Sequence, residues 1–141
     1  MRRYNNRLWV KGWIYGGNYG IERYLYTLHR ISGLGLILYL LMHIYVTAAR
    51  IYGAAAWEQT MAFLYGPAFK LGEYLLIAGA IFHAANGLWL IIIELGMCIG
   101  KPQRQEYPYV PSVKKQRPLM VALMLLAAVL IIVSGLDFFI I

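Results

Sequence analysis

Three runs without a formal charge dominate the polarity pattern of the chain, at residues 31–49, 74–93 and 119–136. Each comes close to the roughly 20 apolar residues a helix needs to cross a hydrocarbon core. Glu73 and Glu94 bracket the second run, and Asp137 follows the third. With their shoulders the runs predict helices over about 28–50, 69–97 and 118–141. The expected fold is an all-α membrane protein: a three-helix membrane domain over residues 28–141 behind an N-terminal segment over 1–27.

That N-terminal segment carries Arg2, Arg3, Arg7, Lys11 and Arg23 against one acid, Glu22. Tyrosines and tryptophans (Tyr4, Trp9, Trp13, Tyr15 among them) are set between these cations, a mixture typical of the headgroup level. Its GGNYG at 16–20 reads as a flexible turn, because a phosphate-binding loop would need a strand before it and a helix after it. The loop at 101–118 is also basic and contains Pro102, Pro108, Pro111 and Pro118, so it is expected to be extended. The loop at 50–73 is nearly balanced, with Arg50 and Lys70 against Glu58 and Glu73. The positive-inside bias therefore places the N-terminus and second loop in the cytoplasm and the C-terminus outside. No cleavable signal peptide is expected, since a long polar and aromatic stretch precedes the first apolar run.

Composition narrows the class further. A chain of 141 residues that is 61% hydrophobic is too short for two ordinary domains and too apolar for a soluble one. The net charge of +7 flanks apolar runs instead of forming a solvated patch, so it reads as membrane topology and not as a nucleic-acid surface. A single cysteine, Cys98, excludes an internal disulfide and a Cys-based zinc or iron–sulfur site.

The candidate chemistry lies in three histidines. His29 sits at the lip of the first run, and His43 and His83 lie inside the first and second runs. Intramembrane histidines are costly, and two of them in consecutive spans point to function. By helical rise His43 lies about 20 Å beyond His29, while His83, on the returning helix, is roughly level with Gly35. His43 and His83 are then on the order of 12 Å apart along the membrane normal. They cannot bind one haem iron together; as haem ligands they imply two haems, with opposing ligands from another chain. Proton relay or hydrogen bonding between helices are the alternatives. Zinc is disfavoured, because the histidines sit at different depths.

His29, Gly33, Leu36, Leu40 and His43 share one helix face. Small residues, Ser32, Gly33 and Gly35 on the first helix with Gly79, Ala80, Ala84, Asn86 and Gly87 on the second, either seat a porphyrin edge or let helices pack closely. Arg30 is either a snorkelling anchor or a neutraliser of an anionic group. The second ring nitrogen of His83 has the carbonyl of Gly79 in reach by spacing.

The segments LHRISG (28–33) and FHAANGLWLIIIELG (82–96), with His43 between them, resemble the cytochrome b membrane-anchor subunits of succinate dehydrogenase and fumarate reductase. The resemblance covers the chain from about Tyr24 onward. It implies half of a helical bundle, completed by a second anchor subunit in a prokaryotic plasma membrane. His83 matches the axial ligand of a haem b near the cytoplasmic side, and His43 that of a second haem b. His29 and Arg30 match residues that contact a propionate, and Ser32 and Gly87 belong to the same cofactor-binding set. Quinone is the implied substrate. Arg30 lies beside its site in some members, and where those carry a serine this chain has Tyr26, next to Thr27. The implied partners are an iron–sulfur subunit and a flavoprotein subunit on the cytoplasmic face, besides membrane lipid. With no flavin fingerprint and no cysteine cluster, this chain holds no dehydrogenase site and serves electron transfer. Two rivals stand beside this reading: a di-haem cytochrome b subunit of another respiratory oxidoreductase, and a haem-free anchor or small transporter.

Overall fold

The structure is a computed structural model that describes residue 10, residues 20–101 and residues 112–140. Most of the basic, aromatic N-terminal segment and the proline-rich stretch 102–111 lie outside the described residues, and with them the expectations placed there. Four α-helices follow in order: α1 (Ile21–Ala48), α2 (Ala54–Leu64), α3 (Pro67–Glu94) and α4 (Arg117–Phe139). A 3-10 turn, Ala49–Tyr52, extends α1, and another, Ser112–Gln116, leads into α4. Among the described residues there is no strand, and three helical segments (Ile21–Tyr52, Pro67–Glu94 and Ser112–Phe139) are long and apolar enough to cross a membrane. The protein is thus an all-helical, multi-pass membrane protein.

Two boundaries differ from the hydropathy reading. α1 begins at Ile21, not near 28, because the polar shoulder IERYLYT is helix-compatible and Glu22 in the first turn suits the helix N-terminus. The stretch read as a loop, 50–73, contains α2. Its sequence AAAWEQTMAFL is made largely of strong helix formers. It is bounded by Gly53, at φ +97°, and by Gly66, whose extended backbone precedes Pro67 at the start of α3.

α3 lies between α1 and α4 and packs against both. Its exit is a glycine cap. Gly96, at φ +70°, donates to the Ile93 carbonyl at 2.9 Å and Met97 donates to the Ile92 carbonyl at 3.2 Å, a Schellman arrangement. The Glu-Leu-Gly that closes the second sequence motif is therefore a helix stop. Beyond it, the Gly100 amide donates to the Ser112 carbonyl at 3.1 Å and the buried Gln116 side chain donates to the Met97 carbonyl, tying the start of α4 to the end of α3.

Leu25, Trp89 and Met120, one from each spanning helix, form the small apolar core at this end. The Arg117 guanidinium meets the Glu22 carboxylate at 2.6 and 3.2 Å, joining α4 to α1. At the opposite end the Tyr74 hydroxyl lies where a Cβ on Gly135 would be 2.9 Å away, and it donates to the Ile131 carbonyl at 3.2 Å. Large apolar side chains along the spans, such as Leu38 and Leu125, face away from the rest of the chain. A bilayer or another apolar helix suits such a surface; water does not.

Candidate functional site

α1 and α3 run antiparallel and carry the same spacing of two residue types: His29 with Gly33, and His83 with Gly87. Residues four apart share a helix face, so each helix presents a histidine and a glycine to the other. The structure crosses them. A Cβ on Gly33 would lie 2.8 Å from Cε1 of His83, and a Cβ on Gly87 would lie 3.4 Å from Cε1 of His29. Each ring thus rests over the glycine of the opposite helix. The rings stack on each other with centroids 3.9 Å apart and planes within 10°.

The space at these glycines is filled by histidine, which the sequence reading had divided between porphyrin and helix packing. Gly35 and Gly79 differ, with nothing within 4 Å of a Cβ at either. His83 is level with His29 and Gly33, slightly nearer the helix start than the spacing suggested.

His83 is held from α1. Its Nδ1 lies 3.1 Å from the His29 carbonyl oxygen and 3.1 Å from Oγ of Ser32, whose own hydroxyl donates to that carbonyl at 3.0 Å. The Gly79 carbonyl, expected from spacing, is not its partner. The reason is Gly33: a residue without Cβ bares the carbonyl one turn earlier in α1 and lets the ring approach it. A carbonyl only accepts, so Nδ1 carries a proton, and in the neutral ring the lone pair is on Nε2. No hydrogen bond among the described residues engages Nε2.

Both histidines line an open groove of about 740 Å³ with Ala84, Gly87, Ile91 and Glu94. Nδ1 of His29 is buried without a partner. This donor set fits a haem: one imidazole with a free, oriented Nε2, a roomy groove floored by Ala84 and Gly87, and an unpartnered polar atom beside it. Among the described residues no three His, Cys, Asp or Glu side chains converge, so a metal site built from this chain's side chains alone is not formed.

His43 is placed differently. It is exposed, and its Nδ1 lies 3.4 Å from the Tyr39 hydroxyl, one turn back on its own helix. It lines a cavity of about 540 Å³ between α1, α2 and α3, together with Tyr39, Trp57, Met61, Phe69 and Glu73. Trp57 is fixed by the Arg50 guanidinium, 4.2 Å from its ring centre. Glu58 is exposed on α2.

The remaining candidates divide by helix face. Arg30 donates to the Tyr26 hydroxyl at 2.7 Å on the exposed face of α1. Thr27 is buried, with Oγ1 unpartnered. Sequence reading passed over Asn86 as merely a small residue. It is fully buried one turn from His83, and both atoms of its amide lack partners, as does Nε1 of the buried Trp89. An Asn three residues after an intramembrane histidine was the available signal.

Residues 14–133 match the family described as succinate dehydrogenase/fumarate reductase transmembrane subunit. The chain is 31% identical over 83 residues to a succinate dehydrogenase hydrophobic membrane anchor subunit of Halobacterium salinarum, covering 58% of this chain and 64% of the relative. It is also 31% identical over 81 residues to the succinate dehydrogenase 2 membrane subunit SdhC of Mycobacterium tuberculosis, covering 57% of this chain and 58% of that one. The matches thus span less than two thirds of the length of either relative. No solved structure matches the chain. The match across the spans and the motifs within it agree: the chain belongs to the succinate dehydrogenase/fumarate reductase transmembrane subunit family.

Proposed function

We propose that this chain is a haem b-binding anchor subunit that passes electrons between an iron–sulfur subunit and quinone in the membrane. The observation that carries the reading is His83, with Nδ1 tied to α1 and Nε2 left free beside an open groove. His83 would supply one axial ligand and a second anchor subunit the other, since no further histidine of this chain faces that level except the stacked His29. His29 and Arg30, beside this groove on α1, would be the residues that meet the propionates. Bound haem supplies one-electron transfer; the chain supplies ligation, orientation and a low-dielectric wall.

His43 would hold a second haem at the other level, with Tyr39 behind its ring. Tyr26 and Arg30 form the candidate quinone contact: the tyrosine oxygen accepts from Arg30, which leaves the phenol proton for a quinone carbonyl. Thr27 faces inward and would not reach it. By the charge bias the His83 level lies on the cytoplasmic side of a prokaryotic plasma membrane, where iron–sulfur and flavoprotein subunits would dock.

Reduced-minus-oxidised spectra of the complex purified with its partner subunits test the reading. Two b-type haems are expected, one lost in His83→Ala and the other in His43→Ala. A complex without b-type haem ends the proposal, and a silent His43→Ala ends its two-haem part.

A further inference from the structure

Resting on the haem reading above, we infer that Ser32 is the positioning residue that fixes the tautomer and ring plane of His83. The geometry leaves one consistent arrangement of protons. The Ser32 hydroxyl donates to the His29 carbonyl at 3.0 Å, which turns its lone pairs toward His83. The ring's Nδ1–H then lies between two acceptors, the same carbonyl and Ser32 Oγ, each at 3.1 Å. In the other tautomer Ser32 would have to give up its carbonyl bond to donate to Nδ1. The carbonyl oxygen would then face a bare nitrogen lone pair at 3.1 Å, which is repulsive.

Two acceptors define a plane where one leaves a hinge. With the carbonyl alone, the ring can swing about a single bond. With Ser32 as well, swinging breaks one of the two contacts, so Nε2 is held toward the groove before any ligand arrives. Ser32 also has an electronic effect. Acceptors on Nδ1–H make the imidazole a stronger donor at Nε2, which favours a ferric over a ferrous partner. Ser32 touches no reacting atom in this role; it acts through His83. The serine of the HRISG segment is thereby explained by the helix it faces as much as by its own.

The test uses the complex purified with its partner subunits, reading haem retention, the midpoint potential of each haem and the low-spin EPR signals. Ser32→Ala should weaken retention of the His83-level haem roughly tenfold, the lower end of the range for such second-layer partners because the His29 carbonyl remains. It should raise that haem's midpoint potential and shift its EPR line, leaving the other haem unmoved. Ser32→Thr, which keeps the hydroxyl, should restore all three readings. The inference is overturned if Ser32→Ala keeps the wild-type potential, line and retention, or if Ser32→Thr behaves like the alanine variant. His83→Ala separates the two levels of the claim. If it retains both haems, the haem reading itself falls, whatever Ser32 does; if it loses one while Ser32→Ala is silent, only the positioning role falls.

Discussion

The His83 level and the His43 level sit on the same α1 helix yet are built in opposite ways. At the first, a ring from α3 is clamped by two acceptors on α1, stacked on His29 and fitted over Gly33. At the second, an exposed ring has one polar contact among the described residues, 3.4 Å to a tyrosine hydroxyl on its own helix, near the limit for a hydrogen bond. The first arrangement is held by contacts within this chain. The second leaves ring orientation to whatever covers that face of the bundle. Preorganisation is thus a property of contacts between helices, and a histidine held only by its own helix has little of it.

The sharpest way to break this comparison is to add one methyl group at each of two neighbouring glycines of α1. Gly33→Ala places a Cβ 2.8 Å from Cε1 of His83, and the tethered ring cannot turn aside without losing its acceptors. Overpacking of this kind typically costs about 1–3 kcal/mol, and here it should also remove the haem proposed for the His83 level. Gly35→Ala meets nothing within 4 Å and should leave that haem in place, with stability within about 0.5 kcal/mol of wild type. Haem content and thermal midpoint of the two complexes are the measurements. Full haem content in Gly33→Ala would mean that the stacked arrangement is not the functional one. Gly87→Ala, where the contact to His29 is an ordinary 3.4 Å, belongs between the two.

How much of this was readable beforehand follows from the range of each signal. Spans are written in long charge-free runs, so three helices could be read directly from residues 31–49, 74–93 and 119–136. α2 escaped because loops were weighed by charge and proline, whereas AAAWEQTMAFL declares itself by helix propensity. Counting helical rise brought His83 to the level of Gly35, within a turn of where it sits. Spacing along one helix proposes Gly79 as the partner of Nδ1, while the actual acceptors, the His29 carbonyl and Ser32, depend on how closely two helices approach. That approach was legible only as a pair of facing His-x-x-x-Gly segments. Asn86 stands out in the sequence as an Asn three places after an intramembrane histidine, but its lack of partners does not, since burial from all sides is a property of the packed bundle.

A smaller effect sharpens the contrast from the His43 side. Tyr39→Phe removes the only polar contact of that ring among the described residues, and because the contact is long, its loss should matter less than that of Ser32. The haem proposed for the His43 level should stay bound, with a retention change well below tenfold, the lower bound typical of residues that hydrogen-bond a ligand. Titration of both haem potentials in one sample reads this out. A change equal to that of Ser32→Ala would show that the second level is as tightly organised in the assembled complex as the first.

The smallest expected effect lies where α3 meets α4, away from both groups of histidines. Tyr74→Phe deletes the 3.2 Å donation to the Ile131 carbonyl while keeping the ring against Gly135, Phe138 and Phe139. A hydrogen bond of this type contributes about 0.5–1.5 kcal/mol net, and the low end applies because that carbonyl lies within α4, where it can also accept along the helix. The thermal midpoint of the complex should fall slightly, with both haem spectra and both potentials unchanged. This separates packing from positioning: α4 anchors the bundle, and α1 sets the histidine of α3. A shifted potential at the His83 level in Tyr74→Phe would instead mean that α4 steers α3 along its length, and the clamp from α1 would no longer account for the ring's orientation by itself.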